Sequence, residues 1–486
     1  MTTLADLTAR EIVQRVRARE LSAVDLVAAL LERITGLDAE IQAWATVAAD
    51  AALAEAAARD RDAAAGTIGP LHGVPVGVKD VIDVAGLPTA AGFAPYRDRV
   101  ATEDAAVVAR LRAAGAVILG KVHTTQFAHA DPAPTRNPWR ADRTPGGSSA
   151  GSGAAVAARM VPLALGTQTA GSVLRPAAYC GTVGFKPTYN WISRQGVIPL
   201  AWSLDHVGLL ARTVDDVALT FGALTDTEPD RAARTTPPRL VLLTDFLERA
   251  EPDVRDHLTD VAARLRAAGA TVEERSLPVE LDLLLAVHHV IMQAEVAALH
   301  AEQLARYPND YGAILRQEIE VGQLIPAAYV LKARRLRRQL GHAVDAALAG
   351  IDAYLLPTAS NAAPRHTTTG DRTFQAPWSL LGTPTITLPT GLNADGLPLA
   401  TQLVARRGHD AALLAVAGWC ARVLGTIAPP DLAPPAASAK VAEAEPAAPA
   451  EAATSEPGEP PAEPGSAPAQ QAEEETGEEP ERPSTA

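Results

Sequence analysis

The chain has 486 residues, of which 47% are hydrophobic and 21% charged, and its formal net charge is −14. That balance belongs to a globular protein, and nothing in its charge suggests binding to nucleic acid or to anionic membrane surfaces. Only Cys180 and Cys420 are present, far apart, which excludes a disulfide framework and a cysteine-built zinc site.

The N-terminus, MTTLADLTAREIVQRV, has no basic stretch followed by an apolar core, so no signal peptide is expected. No uninterrupted apolar run reaches the roughly 18 residues of a membrane span. A cytoplasmic location follows by default.

Residues 1–65 read as helices. Thr8 and Glu11 form a capping-box pattern, Ser22 is a second N-cap, and Val27, Leu30, Leu31 and Ile34 make an apolar stripe at helical spacing. From Pro70 to Gly120 short apolar runs alternate with Gly and Pro: VPVGV, a helix carrying Val107, Val108 and Leu111, then AVILG. This is the pattern of strand–helix–strand units in a buried sheet. Arg239–Thr244, a helix with Val254, Leu258, Val261 and Leu265, and Thr271–Leu277 form another such unit. Two long helices are expected near 282–306 and 322–349, before apolar runs return at Ala353–Leu356 and Thr385–Leu388.

A sheet resumed after a helical excursion predicts one discontinuous α/β domain over residues 1–430. Residues 434–486 differ in kind. They are rich in Pro, Ala, Glu and Ser, and their twelve glutamates against Lys440 and Arg482 leave about −4 for the rest of the chain. Such a segment cannot bury enough apolar surface to offset its ordering entropy, so a disordered acidic tail is expected.

Two small-residue segments stand out: GGSSAGSG at Gly146–Gly153 and GTQTAGSVLRP at Gly166–Pro176. Ser172, in TAGSV, sits where successive backbone N–H groups can turn toward one point. The N–H groups of Thr169, Ala170, Gly171 and Ser172 are therefore candidates to hold an oxyanion. A serine hydroxyl needs a base, and no histidine motif offers one nearby. Lys79, in GVPVGVKD, can serve if burial lowers its pKa from the ordinary value of about 10.4. Ser148 is the natural relay between them, able to take the nucleophile's proton and pass one to the leaving nitrogen. Asp80 is expected on the other face of the strand as a structural partner.

These segments, with PLHGVPVGVKDVIDVAGLPTAAG, TRNPWRADRTPGGSSAGSGAAVA, SLDHVGLLARTVDD, APWSLLGTPTITLPTG and GLPLATQLVARRGHDAALLAVA, resemble the amidase signature family in order and separation across residues 1–425. The resemblance implies a large mixed sheet flanked by helices and no cofactor or metal. It further implies a small-molecule carboxamide as substrate, cleaved to a carboxylate plus ammonia or amine. Ser172 would be the nucleophile forming an acyl-enzyme, Ser148 the serine after a cis peptide bond, and Lys79 the general base. The oligomeric state stays open, a homodimer included.

The nucleophile block departs from the family's GTDTGGSIR: Gln168 stands for the acid, Ala170 for a glycine and Leu174 for the arginine, with Arg175 one place later. Gln168 and Arg175 either alter the charge of the site or pair with each other. Two alternatives remain: the glutaminase-type A subunit of a tRNA-dependent amidotransferase, and an inactive binding protein of the same fold. Against the former, VHTTQFAHADP replaces the NMDEFAMG typical of those subunits. Asp205–His206 is expected as a buried structural pair and Cys180 as a packed thiol. Thr125, Gln126, Phe127, Trp202 and Trp378 fall where specificity residues gather, with core or surface packing the equal alternative for each.

Overall fold

In the computed structural model, residues 3–227 and 234–432 are described, so the expected acidic tail lies outside the described residues. One eleven-stranded mixed sheet runs through the molecule, in the order β1-β3-β2-β4-β6-β5-β10-β11-β9-β7-β8. The strands are β1 (Trp44–Val47), β2 (Pro75–Lys79), β3 (Val117–Val122), β4 (Leu163–Gln168), β5 (Val183–Lys186) and β6 (His206–Ala211). They continue as β7 (Arg239–Leu243), β8 (Thr271–Arg275), β9 (Ala353–Pro357), β10 (Thr385–Leu392) and β11 (Pro398–Val404).

The strand–helix–strand units appear as expected. β2 runs parallel to both β3 and β4, while β4–β6, β6–β5, β5–β10, β10–β11 and β11–β9 are antiparallel. Because β2 and β4 are parallel neighbours in the register Val78↔Leu165, their C-terminal ends open on the same edge. That edge carries Lys79 and the turn leading to Ser172, the place where α/β sheets present ligand sites.

The N-terminal helices form with the anticipated caps: Thr8 accepts from the Glu11 N–H while Glu11 reaches back, and Ser22 accepts from Asp25 N–H. The region is not purely helical, however. Trp44–Val47 forms an edge strand antiparallel to β3, too short for alternation to reveal it in an alanine-rich context. The stretch 322–349 is also divided: one helix ends at Gln323 and the next begins at Ala327, because Pro326 serves as its N-cap.

Helix Leu281–Arg306 is apolar and long enough by composition to cross a membrane, with a window mean hydropathy of 1.4. Leu284, Val287, Ile291 and Val296 spend that apolarity on the core, and the same helix buries His288 and Glu295.

The GGSSAGSGAAVA segment becomes the turn and helix Ala150–Ala157, every residue of which is buried. Small side chains are a packing requirement here: a Cβ on Gly151 would lie 2.3 Å from the Ala43 carbonyl oxygen and 2.4 Å from the His123 nitrogen. Close approach of this helix to the sheet delivers Ser148 to the end of β2.

Candidate active site

Lys79, the last residue of β2, is fully buried. Its Nζ lies 2.7 Å from Ser148 Oγ, 2.8 Å from Thr167 Oγ1 and 3.4 Å from the Thr167 carbonyl oxygen. Lys121 on the adjacent strand makes the contrast. It pairs with Asp80 at 2.9 Å and also donates to Thr89 and the Pro88 carbonyl, whereas Lys79 has no carboxylate partner among the described residues. Asp80 is thus structural, as expected. Burial pushes Lys79 well below the ordinary lysine range, with Asp205 pulling weakly in the opposite direction.

The peptide bond Gly147–Ser148 is cis. Two cross-links fix this turn against the Ser172 turn: Ser149 N–H donates to the Ser172 carbonyl at 3.2 Å, and Arg175 Nη2 donates to the Gly147 carbonyl at 2.7 Å. Ser172 itself borders a cavity of about 240 Å³ together with Thr169, Ala170 and Arg175, while Ser148 does not line it.

Around Ser172 the backbone carbonyls are taken one by one. His288 Nε2 lies 3.1 Å from the Thr169 oxygen, Ser379 Oγ donates to Ala170 at 2.7 Å, and Arg175 N–H donates to Gly171 at 2.9 Å. The first contact requires the Nε2–H tautomer, and burial holds His288 neutral, its pKa pushed down to about 3. In a trans peptide unit the C=O of one residue and the N–H of the next point in opposite directions. Carbonyls pinned outward on Thr169, Ala170 and Gly171 therefore turn the N–H groups of Ala170, Gly171 and Ser172 the other way. Outside the strand ladders, the N–H groups of Thr169, Ala170, Gly171 and Ser172 have no acceptor among the described residues. Such a run of free donors can hold an anion.

The departures in the nucleophile block resolve into structure, though Gln168 and Arg175 do not pair with each other. Gln168 Oε1 accepts from Val173 N–H at 2.9 Å and Leu174 N–H at 3.0 Å, and its Nε2 donates to Ser379 at 3.1 Å. An amide oxygen thus caps the helix that follows Ser172. Replacing Gln168 by Leu leaves two buried donors without an acceptor, each costing about 1–3 kcal/mol. The expected outcome is a clearly lowered melting temperature, read by calorimetry. Arg175 donates to the Gly370 carbonyl at 2.8 Å as well as to Gly147, tying loop 368–372 to the site.

Asp205 and His206 are both buried but are not hydrogen-bonded to each other. Asp205 accepts from Thr169 Oγ1 at 2.6 Å and from the Leu200 and Ala201 N–H groups, while His206 Nδ1 turns to the Leu204 carbonyl at 2.6 Å. Competition from nearby backbone groups separates the two. Cys180 is a buried thiol whose pKa burial pushes up.

Of the five residues weighed between specificity and packing, none lines the cavity. Trp378 is wholly in the core, Gln126 ties the chain to Gly312 and Asp310, and Phe127 packs among Phe93, Tyr96 and Tyr311. The cavity is lined instead by the next residues, Ala128, His129 and Ala130, with Glu318 and Arg372 from distant segments. Phe127 and Ala128 adopt left-handed φ values of 46° and 61°, which reverses the chain just before His129.

Ser172 on a cavity, a buried Lys79 in hydrogen-bond contact with Ser148 and a run of free N–H donors form an arrangement compatible with acyl transfer. Comparisons with known proteins show the family. The family model described as Amidase matches residues 25–414. An amidase from Pseudomonas putida is 37% identical over 82% of this chain and 92% of its own length. The A subunit of a glutamyl-tRNA(Gln) amidotransferase from Geobacter sp. (strain M21) is 35% identical over 85% and 96%. The solved peptide amidase from Stenotrophomonas maltophilia superimposes with a TM-score of 0.76 at 30% identity, covering 88% of this chain and 99% of that one. The chain belongs to the amidase signature family and is a hydrolase acting on amide C–N bonds.

Proposed function

We propose that the enzyme hydrolyses a small linear carboxamide through an acyl-enzyme on Ser172. Ser148 and Lys79 act as a proton relay, and the N–H groups of Thr169, Ala170, Gly171 and Ser172 hold the oxyanion. The observation that carries this reading is Lys79: fully buried, free of any carboxylate partner among the described residues, and 2.7 Å from Ser148. Its three oxygen neighbours, Ser148 Oγ, Thr167 Oγ1 and the Thr167 carbonyl, place the amine in direct hydrogen-bond contact with the Ser148 hydroxyl, the contact a proton relay requires.

In this mechanism Ser172 Oγ attacks the amide carbonyl as its proton passes to Ser148, whose own proton moves to Lys79. The carbonyl oxygen gains its negative charge against backbone donors that need no reorganisation. Collapse of the tetrahedral intermediate returns a proton through Ser148 to the leaving nitrogen. Water then attacks the acyl-Ser172 ester by the same route, releasing the carboxylate.

A second reading is favoured by the amidotransferase subunits among the relatives, which supports glutamine as a substrate and a partner protein to receive its ammonia. Screening glutamine, aliphatic and aryl amides, anilides and dipeptide amides for ammonia or amine release, beside Ser172→Ala, tests both. Activity on non-glutamine amides that Ser172→Ala loses supports the amidase. Activity confined to glutamine supports the amidotransferase reading, and silence throughout would count against a free-standing amidase.

A further inference from the structure

A cavity of about 520 Å³ lies apart from the one beside Ser172 and shares no lining residue with it. Its character begins in the sequence. Along the helix Ala327–Ala347, Arg334, Arg337, Arg338, Gly341, His342 and Asp345 recur at steps of one, three and four, which places all six on one face. Arg407, from the loop between β11 and the helix Asp410–Leu424, joins them in lining the cavity.

In a chain whose net charge is −14, this is a local excess of the opposite sign. Two carboxylates oppose the four guanidinium groups: Asp345 in the stripe, and buried Glu295, whose Oε1 accepts from Arg334 Nη2 at 3.0 Å. Two positive charges are left over. Arg337 Nη1 donates to Ser203 Oγ at 3.2 Å, while Arg338 and Arg407 have no salt-bridge or side-chain hydrogen-bond partner among the described residues. Both are exposed, so their donors are open to a ligand. The crowding is felt within the group. Burial lowers the Arg337 pKa, Tyr189 and Glu295 oppose that, and Arg407 and Arg334 push it down again as like charges do.

Gly341 adds an independent sign. Inside a helix, glycine costs about 0.5–1 kcal/mol relative to alanine. Packing does not demand it here, since a Cβ would meet only Leu381 Cδ2, at an ordinary 3.8 Å. What the glycine contributes is open space in the middle of the arginine stripe.

We propose that this cavity binds a small oxyanion of charge −2 or more, a phosphate ester or a di- or tricarboxylate, held by Arg337, Arg338 and Arg407 over Gly341. Guanidinium forks match the paired oxygens of both groups. A dianion cancels the leftover charge, which a monoanion does not, and the volume is that of a small-molecule site. The inference is independent of the amide hydrolysed at Ser172.

The test is titration calorimetry on the full-length chain at constant ionic strength, with glycerol 3-phosphate, pyrophosphate, succinate and citrate as probes and acetate as the monoanion. At least one multivalent anion should bind with 1:1 stoichiometry, tenfold or more tightly than acetate. Arg338→Gln and Arg407→Gln, at exposed positions, should each weaken it about tenfold. Gly341→Leu should weaken it at least as much while leaving the melting temperature unchanged or raised, the reverse of what a glycine required by packing would give. Tightest binding of a phosphate compound assigns the site to phosphate, and tightest binding of succinate or citrate to carboxylates. Saturable binding of none of the four, acetate binding as tightly as they do, or an affinity that both arginine variants leave intact would overturn the inference.

Discussion

Replacing Lys79 by methionine should lower kcat/KM by a factor on the order of 10²–10⁴, the range of a general base removed from a reacting proton. Methionine fills nearly the same space, so the fully buried site at the end of β2 keeps its packing while the amine is lost. The pH dependence carries the same claim further. Burial pushes the Lys79 pKa well below the ordinary range, so its neutral form persists to lower pH than an ordinary lysine's and is lost as pH falls through that lowered pKa. The profile of kcat/KM should therefore have an acidic limb. Asp205 stabilises the ammonium form while it is ionised, and burial raises its own pKa to about 6, so Asp205→Asn should move to lower pH whatever part of that limb lies above this value. A Lys79→Met enzyme within tenfold of the unaltered rate would remove lysine from the mechanism.

Ser148→Ala should produce a loss of similar size, on the order of 10²–10⁴-fold, because the proposed relay hydroxyl is gone. Ser148 is fully buried and its Oγ lies 2.7 Å from Lys79 Nζ, so alanine removes one hydroxyl without opening the site. Combining it with Lys79→Met discriminates a relay from two independent contributions. Groups acting as a unit are strongly non-additive, so the double variant should be little slower than either single one. Losses that multiply would show that the two residues act separately. Steady-state kinetics on one amide, with circular dichroism to confirm folding, is sufficient.

Much of this architecture is legible in the sequence because the decisive signals are local. The Thr8–Glu11 box and the buried runs around Lys79 depend on neighbours a few residues away, and both formed as expected. The edge strand Trp44–Val47 was not legible, since its partner β3 lies some seventy residues on and four residues carry little periodicity. At the site, small residues around Ser148 and Ser172 marked the turns. The roles of Gln168 and Arg175 could not be read in the same way. Gln168 finds Ser379, and Arg175 finds Gly370, in segments about two hundred residues away. His129 and Glu318 are hidden for a related reason. A lone histidine in a loop and a glutamate on a helix are ordinary surface features until the fold turns both into one cavity.

The covalent intermediate on Ser172 is the central claim, and a serine-reactive fluorophosphonate with peptide mapping by mass spectrometry tests it most directly. A single adduct is expected on the peptide containing Ser172, formed in step with loss of activity and absent from Ser172→Ala. An adduct on Ser148 or another residue that tracks inactivation, or a Ser172→Ala enzyme that still turns over amides, would contradict it.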